Sequence, residues 1–269
     1  MFIDVKPLIG KIDNEIEELK KEIFSSPKLV SVCSSPDDST LYYFKSQERL
    51  CKKYGIVYDV VDTKFPQRVI SELSADPDVH GIFLAFPMPK EYDEYELCMS
   101  VNPMKDVDGV NPVNLGNIFY GKEDFAPCTA QACVRIIVDN ISPKSKKIAV
   151  IGRSNQVGKP VGLMLQRYGV DATVVSLNSY TLNLKEITSE QDAVVVAIGK
   201  RHFLKADFVK HGALVVDVGI NEYEGKVYGD ADPSVAENAQ LTPVPNGVGS
   251  VTSKILIKNV FKAYTLNKK

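Results

Sequence analysis

Four stretches of this chain combine residue types that do chemistry. The first is GRSNQVGKP, running from Gly152 to Pro160. Its Gly-x5-Gly spacing brackets Arg153 and Ser154. Glycines give room for close backbone approach, and the cation and hydroxyl suit a phosphate held at a helix N-terminus. The second is DDSTLYYFKSQ, where Tyr42 and Lys45 stand three apart and so share a helix face. A lysine beside a phenol in a cleft can give or take a proton once its pKa is lowered. The third is Lys105-Asp106-Val107-Asp108-Gly109. Its two carboxylates can accept from amino groups of a polar heterocycle or cap a turn. The fourth, PVPNGVGS, holds two prolines and two glycines, a rigid loop that lets a ligand meet backbone. Each also has an ordinary reading: a tight turn, a packed tyrosine beside a solvated lysine, a turn cap, a connecting loop.

The elements that must position these residues alternate. An apolar run from Ile148 to Ile151 predicts a buried strand that stops at Gly152. Pro160 then opens a helical pattern through Val161, Leu165 and Tyr168, ended by Gly169, and Ala172 to Ser176 is a second strand. Upstream, Ile12, Ile16, Leu19 and Ile23 form an apolar helical stripe. Lys28 to Cys33 reads as a strand; Asp37, Asp38 and Ser39 can cap a helix from about Thr40 to Tyr54, closed by Gly55. Ile56 to Asp62, Pro66 to Ser74 and Gly81 to Phe86 continue as strand, helix and strand. Val101 to Ala126, rich in Asn, Pro, Gly and Asp, reads as a loop bridging two lobes. Further on come a helix from Ala130 to Asn140 and strands from Ala193 to Ile198 and Ala213 to Val218. A last amphipathic helix carries Ile255, Leu256, Val260, Phe261 and Tyr264.

This alternation predicts an α/β fold of two lobes: an N-terminal α/β domain with a mostly parallel sheet, and a Rossmann-type domain. A terminal helix after a loop is expected to pack back on the first lobe. The expected domains are therefore 1–122 plus 248–269, and 123–247.

Bulk properties exclude several classes. With 269 residues, 44% hydrophobic, 25% charged and a net charge of −2, the chain advertises neither nucleic acid nor an anionic membrane as partner. The start, MFIDVKPLIGKID, has charges too early for a signal peptide, and no apolar stretch reaches transmembrane length. Cysteines at 33, 51, 98, 128 and 133 show neither paired nor metal-type spacing, so a reducing cytoplasm and no metal are expected.

Cofactor choice is read at the end of the second strand of the nucleotide unit. NAD-binding units place an acid there for the ribose hydroxyl. Here Val175-Ser176-Leu177-Asn178-Ser179 holds none, which with Arg153 favours NADP, although Asn178 is compatible with either cofactor.

In order along the chain, DDSTLYY, KDVDG, PCT (Pro127 to Thr129), VIGRSNQVGKP, VVDVGIN (Val215 to Asn221), GDA (Gly229 to Ala231) and TPVPNGVGS resemble blocks of the methylenetetrahydrofolate dehydrogenase/cyclohydrolase family. The resemblance spans nearly the whole chain. It implies oxidation of methylenetetrahydrofolate with a nicotinamide cofactor, then hydrolysis of the methenyl product to 10-formyltetrahydrofolate, in one-carbon metabolism. It also implies a homodimer with the active site in the cleft between lobes. Carried over residue by residue, Gly152, Arg153 and Ser154 would hold cofactor phosphates and ribose, Ser179 would sit near the 2′-phosphate and Ile220 beside the nicotinamide. Asp108 would bind the amino-pyrimidine edge of the folate and Tyr42 would stack on its ring system. Pro245, Gly247 and Gly249 would line the folate side.

Three departures stand beside these matches. The family has Tyr-x3-Lys, whose lysine serves the cyclohydrolase step; here Tyr42 plus four is Ser46 and Tyr43 plus four is Gln47. Lys45 either replaces that lysine from the previous position or the function is lost. The family's QLPLP is AFPMP, which puts Ala85 where the lysine's glutamine partner belongs. Gly-Gly-Val-Gly-Pro becomes Asn246-Gly247-Val248-Gly249-Ser250. Hydride transfer needs mainly positioning, whereas hydrolysis needs proton handling worth ~10²–10⁴-fold. The expectation is a secure dehydrogenase with a cyclohydrolase weakened or rebuilt around Lys45. The alternatives are another Rossmann-type NADP-dependent dehydrogenase and a non-catalytic nucleotide- or folate-binding sensor. A SAM-dependent methyltransferase is a weaker rival, because it usually wants an acid at the second strand end.

Overall fold

The computed structural model describes residues 1–267, which divide into two compact units. One comprises Ile12–Asn117, Lys122–Cys128 and the chain from Ser253 onward. The other comprises Met1–Lys11, Ile118–Gly121 and Thr129–Thr252. The first residues differ from the expected boundary by grouping with the second unit. There the Met1 ammonium donates to the Ala239 carbonyl at 2.7 Å and Phe2 bridges to Leu241.

The first unit is built on three parallel strands: β1 (Lys28–Cys33), β2 (Val57–Asp62) and β3 (Gly81–Leu84), in the order β2-β1-β3. Central β1, beyond its first residue, and the short terminal strand β3 are buried, as apolar runs covered on both faces should be. Edge strand β2 leaves Val57 and Val60 exposed. Helices α1 (Lys6–Lys20), α2 (Asp38–Tyr54), α3 (Pro66–Ala75), α4 (Glu94–Ser100) and α5 (Pro112–Phe119) follow the chain order among these strands. The buried cluster of this unit gathers Val30, Val32, Ile70, Ile82, Leu84, Leu97 and Val110.

The expected loop from Val101 to Ala126 contains α5. Pro112 suits a first helical position, and Asn111 Oδ1 accepts from the Val113 N–H at 2.7 Å, so a Pro/Asn-rich stretch that reads as a loop is a capped helix start.

The second unit has five parallel strands. They are β4 (Lys147–Ile151), β5 (Thr173–Leu177), β6 (Ala193–Val196), β7 (Leu214–Asp217) and β10 (Gln240–Leu241), in the order β10-β7-β6-β4-β5. A hairpin of β8 (Asn221–Tyr223) and β9 (Lys226–Tyr228) stands apart from that sheet. Helices α6 (Cys128–Asn140), α7 (Gly158–Gln166), α8 (Leu184–Thr188) and α9 (Val235–Asn238) complete it, before α10 (Val248–Leu266) closes the chain. Chain order reverses at β4, because β5 lies on one side of it and β6 on the other. Open α/β sheets bind ligands outside the carboxyl ends of the strands at such a switch point. This is a doubly wound α/β sheet of the Rossmann type.

Candidate active site

The switch point is where the glycine loop sits. Gly152 follows β4 with φ +138°, and a Cβ on it would run into the Ala197 carbonyl after β6. A Cβ on Gly158 would meet the Gly152 carbonyl. The two glycines are therefore required by contact between two backbone strands. Ser154 Oγ accepts from the Val157 N–H at 3.1 Å, tightening the turn into α7, while Arg153 and Ser154 stay exposed. α7 begins at Gly158, ahead of the expected Pro160, and stops at Gln166, leaving Tyr168 outside it and fully exposed. Ser179 is half-buried beyond β5, in a turn where Asn178 Oδ1 accepts from the Tyr180 N–H at 2.9 Å. Ile220, beyond β7, is 73% exposed.

These features fit a phosphorylated dinucleotide. The cradle has no room for a Cβ, a cation and a hydroxyl stand at its rim, and no carboxylate closes β5.

The loop from Pro245 to Gly249 belongs to the same unit. Val244–Pro245 is a cis peptide, Gly247 is buried with no space for a side chain against the Pro243 carbonyl, and Pro245 and Gly249 are exposed. α10 starts inside this loop, at Val248.

In the three-stranded unit the structure changes the reading of α2. Asp37 alone caps it, its carboxylate accepting from the Thr40 N–H at 2.8 Å, and Gly55 ends it at φ +74°. Between these stops the inward stripe is Phe44, Gln47, Cys51 and Tyr54. Tyr42 is 70% exposed and Lys45 is exposed. Lys45 lies two residues from Gln47, about 200° around the helix, so it cannot present its ammonium where Gln47 points. Tyr43, not Tyr42, turns toward the sheet, with its ring 5.5 Å from that of Phe83. The pair at Tyr-x3-Lys spacing that turns inward is thus Tyr43 and Gln47, whereas the expected Tyr42 and Lys45 point away from the sheet.

Gln47 is only 3% exposed. Its Oε1 accepts from Ser31 Oγ at 2.9 Å and from the Tyr58 hydroxyl at 2.8 Å. Its Nε2 is buried, makes no hydrogen bond of normal geometry and interacts with the Tyr43 phenol. Burial, and the charge of Asp108, push the Tyr43 phenol well above its usual range. Ala85 is buried at the end of β3 and offers no polar atom beyond its backbone.

The two carboxylates of the KDVDG stretch divide their work. Asp106 builds the loop, accepting from the N–H groups of Gly109 (3.0 Å), Val110 (3.1 Å) and Asn111 (2.8 Å) and from Asn114 Nδ2 (2.8 Å). Gly109 has φ +77° and a Cβ there would overlap the Phe125 and Ala126 backbone. Asp108 instead faces the Cys128 thiol and Tyr43. Burial, with the Asp106 charge beside it, pushes its carboxyl up to about 7. The sulfur is fixed in turn: Asn259 Nδ2 donates to Cys128 Sγ at 3.4 Å and to the Val107 carbonyl at 2.8 Å. Among the described residues no cluster of His, Cys, Asp and Glu could hold a metal ion.

A nucleotide cradle at a Rossmann switch point and a carboxyl–phenol–amide group of half-buried Asp108, half-buried Tyr43 and buried Gln47 define a two-domain α/β enzyme of the dehydrogenase type. Comparison with known proteins sharpens this. The family description "Tetrahydrofolate dehydrogenase/cyclohydrolase, catalytic domain" matches residues 3–108, and "Tetrahydrofolate dehydrogenase/cyclohydrolase, NAD(P)-binding domain" matches residues 127–268. The chain belongs to the tetrahydrofolate dehydrogenase/cyclohydrolase family. It is 48% identical over 263 residues to the bifunctional protein FolD of Petrotoga mobilis, covering 98% of this chain and 96% of that one. Its fold superposes on the crystal structure of the bifunctional enzyme FolD from Campylobacter jejuni with TM-score 0.90 at 33% identity, covering 100% and 99% of the two chains. It also superposes on the Trypanosoma brucei enzyme complexed with NADP and an inhibitor, with TM-score 0.91 at 26% identity, covering 100% and 98%.

Proposed function

We propose that this protein oxidises 5,10-methylenetetrahydrofolate to 5,10-methenyltetrahydrofolate with NADP and hydrolyses the product to 10-formyltetrahydrofolate, the second reaction more slowly than the first. The observation that carries it is the match of both halves of the chain to the two domains of one bifunctional family.

NADP supplies the hydride acceptor. Gly152 and Gly158 leave room for its phosphates, Arg153 balances their charge, and Ser154 and Ser179 offer hydroxyls to ribose and 2′-phosphate. Ile220 offers an apolar rest for the nicotinamide. Asp108, when ionised, accepts from the amino-pyrimidine edge of the folate. Tyr43 takes the stacking role, and Pro245, Gly247 and Gly249 line the folate side with backbone.

The two reactions ask different things of the α2 face. Oxidation removes a hydride from the methylene carbon and needs that carbon held in place. Hydrolysis adds a water oxygen to the methenyl carbon with loss of one proton, then breaks the bond from that carbon to N5 as the new hydroxyl gives up its proton to become the formyl oxygen and N5 gains one. An ammonium can give that proton; the Gln47 amide donates hydrogen bonds but holds its protons at neutral pH. The hydrolysis is therefore slow rather than absent, and Lys45 does not rebuild it.

A homodimer is the proposed assembly, supported by the open edge of β2 with its exposed Val57 and Val60. A cytoplasmic location is proposed on the five free cysteines, all buried and unpaired. No described helix is long and apolar enough to cross a membrane. The test is turnover: purified protein with methylenetetrahydrofolate should reduce NADP⁺, and silence with both NADP⁺ and NAD⁺ would overturn the reading in favour of a ligand-binding sensor.

A further inference from the structure

Two buried carboxylates of the five-stranded unit have no part in the site described so far. Asp230 is fully buried. Its Oδ2 accepts from the N–H groups of Ile198 (2.7 Å) and Gly199 (2.9 Å), and its Oδ1 from Lys200 N–H (2.8 Å) and Asn221 Nδ2 (2.9 Å). Asp217, at the end of β7, accepts on Oδ1 from the Gly219 and Asp230 N–H groups, both at 2.9 Å, and on Oδ2 from Ala231 N–H at 2.9 Å. The arrangement is reciprocal. A Cβ on Gly229 would overlap the Asp217 carboxylate, and a Cβ on Gly219 would overlap the Asp230 carboxylate.

Burying two carboxylates is costly unless their hydrogen bonds are met, and here seven donors meet them. Two consequences follow for the ends of the strands. Three successive N–H groups after β6 form an anion-binding concavity, and Asp230 fills it with an internal anion. Phosphates are left with the loop after β4. Second, the segment after β7 is held at Asp217, Gly219 and Asn221, with Asp217 N–H also donating to Thr242 Oγ1 at 2.7 Å. Ile220 lies between two of these fixed points, yet its side chain is 73% exposed. A large apolar side chain on pinned backbone, held out at the carboxyl end of a parallel strand, is built to meet something flat and apolar.

We propose that Asp217 and Asp230 are positioning residues that hold the Gly219–Asn221 segment so that Ile220 meets the nicotinamide end of the cofactor. The proposal rests on the NADP reading above and adds to it the residues that set the nicotinamide end apart from the phosphate end.

The test compares NADP⁺ with 2′-phospho-ADP-ribose, which lacks the nicotinamide, by titration calorimetry on the full chain. Asp230→Asn keeps the shape and removes the charge. It should weaken NADP⁺ about tenfold, equivalent to ~1.4 kcal/mol, and change 2′-phospho-ADP-ribose by less than about twofold. Equal weakening of both ligands, or of neither, overturns the proposal, because a general loss of structure does not distinguish them. Gly219→Ala displaces the same segment by a different route and should show the same split, so the test survives if Asp230→Asn fails to fold. Wild-type protein that binds neither ligand would instead overturn the cofactor reading itself.

Discussion

The loop after β4 and the inward face of α2 serve the two proposed reactions, and they are made differently. The loop works through backbone: Gly152 and Gly158 are required because any side chain would collide with a neighbouring carbonyl. The α2 face works through side chains, and where the family pattern carries a lysine this chain has Gln47, tied to Ser31 and Tyr58. A backbone device tolerates few changes and stays recognisable. A side-chain device can lose a charge and keep its shape. On this account the difference bears unequally on two reactions that act in succession, the product of the first being the substrate of the second.

The largest expected effect is at the loop. Gly152→Ala puts a methyl against the Ala197 carbonyl at a backbone angle that L-residues avoid. NADP⁺ affinity should fall about 100-fold, ~2.7 kcal/mol, measured by calorimetry. Unchanged affinity would remove the loop from the cofactor site.

The next effect sharpens the contrast. Gln47→Lys restores the Tyr-x3-Lys pair on Tyr43, with Ser31 and Tyr58 able to accept from the new ammonium. Hydrolysis of methenyltetrahydrofolate should rise about 100-fold, the low side of what a positioned proton donor contributes, while NADPH formation changes little. Parallel change in both rates would mean that Gln47 acts through folding.

Asp108 provides a pH test. Its folded carboxyl is pushed up to about 7, above the usual 3.8. A raised carboxyl contributes stability that is fully present below the unfolded value and is lost as pH rises through the folded one. Unfolding free energy should therefore fall between about pH 4 and pH 8. Asp108→Asn mimics the neutral form and should be more stable than wild type at pH 8 by about 2–4 kcal/mol, with little difference at pH 4. Asp217, pushed up to about 6, leaves a residual slope of the same sign in the variant. Denaturant titrations across pH read this directly, and a variant less stable at pH 8 would contradict it.

The smallest effect is expected at Lys45. Lys45→Ala should change both rates by less than about twofold, since the side chain is exposed on the opposite face of α2 from Gln47. A collapse of hydrolysis alone would restore the rebuilt-lysine alternative.

Local rules carried the sequence reading furthest where local structure decides. β1 runs Lys28–Cys33, the expected span, because an apolar run between turn signals has one plausible state. The glycine loop was legible because tight turns against a helix N-terminus demand glycine. On α2 the side chains that turn inward, Tyr43 and Gln47, lie one and two residues on from the expected Tyr42 and Lys45, because adjacent tyrosines point 100° apart and their sequence alone does not say which faces the sheet. α5 was hidden by composition that equally suits a loop. The Asp217–Asp230 pair was out of reach, since its partners at 198–200 and 229–231 meet only through the order of the sheet.

The most direct test follows both products of one reaction mixture. Protein, methylenetetrahydrofolate and NADP⁺ are mixed, and NADPH and the methenyl compound are monitored separately against the spontaneous hydrolysis of the latter. The account predicts NADPH formation with methenyltetrahydrofolate accumulating, then declining faster than in the protein-free control. NADPH without any methenyl accumulation would show a hydrolysis that keeps pace with oxidation, and would contradict the claim that Gln47 has slowed the second reaction.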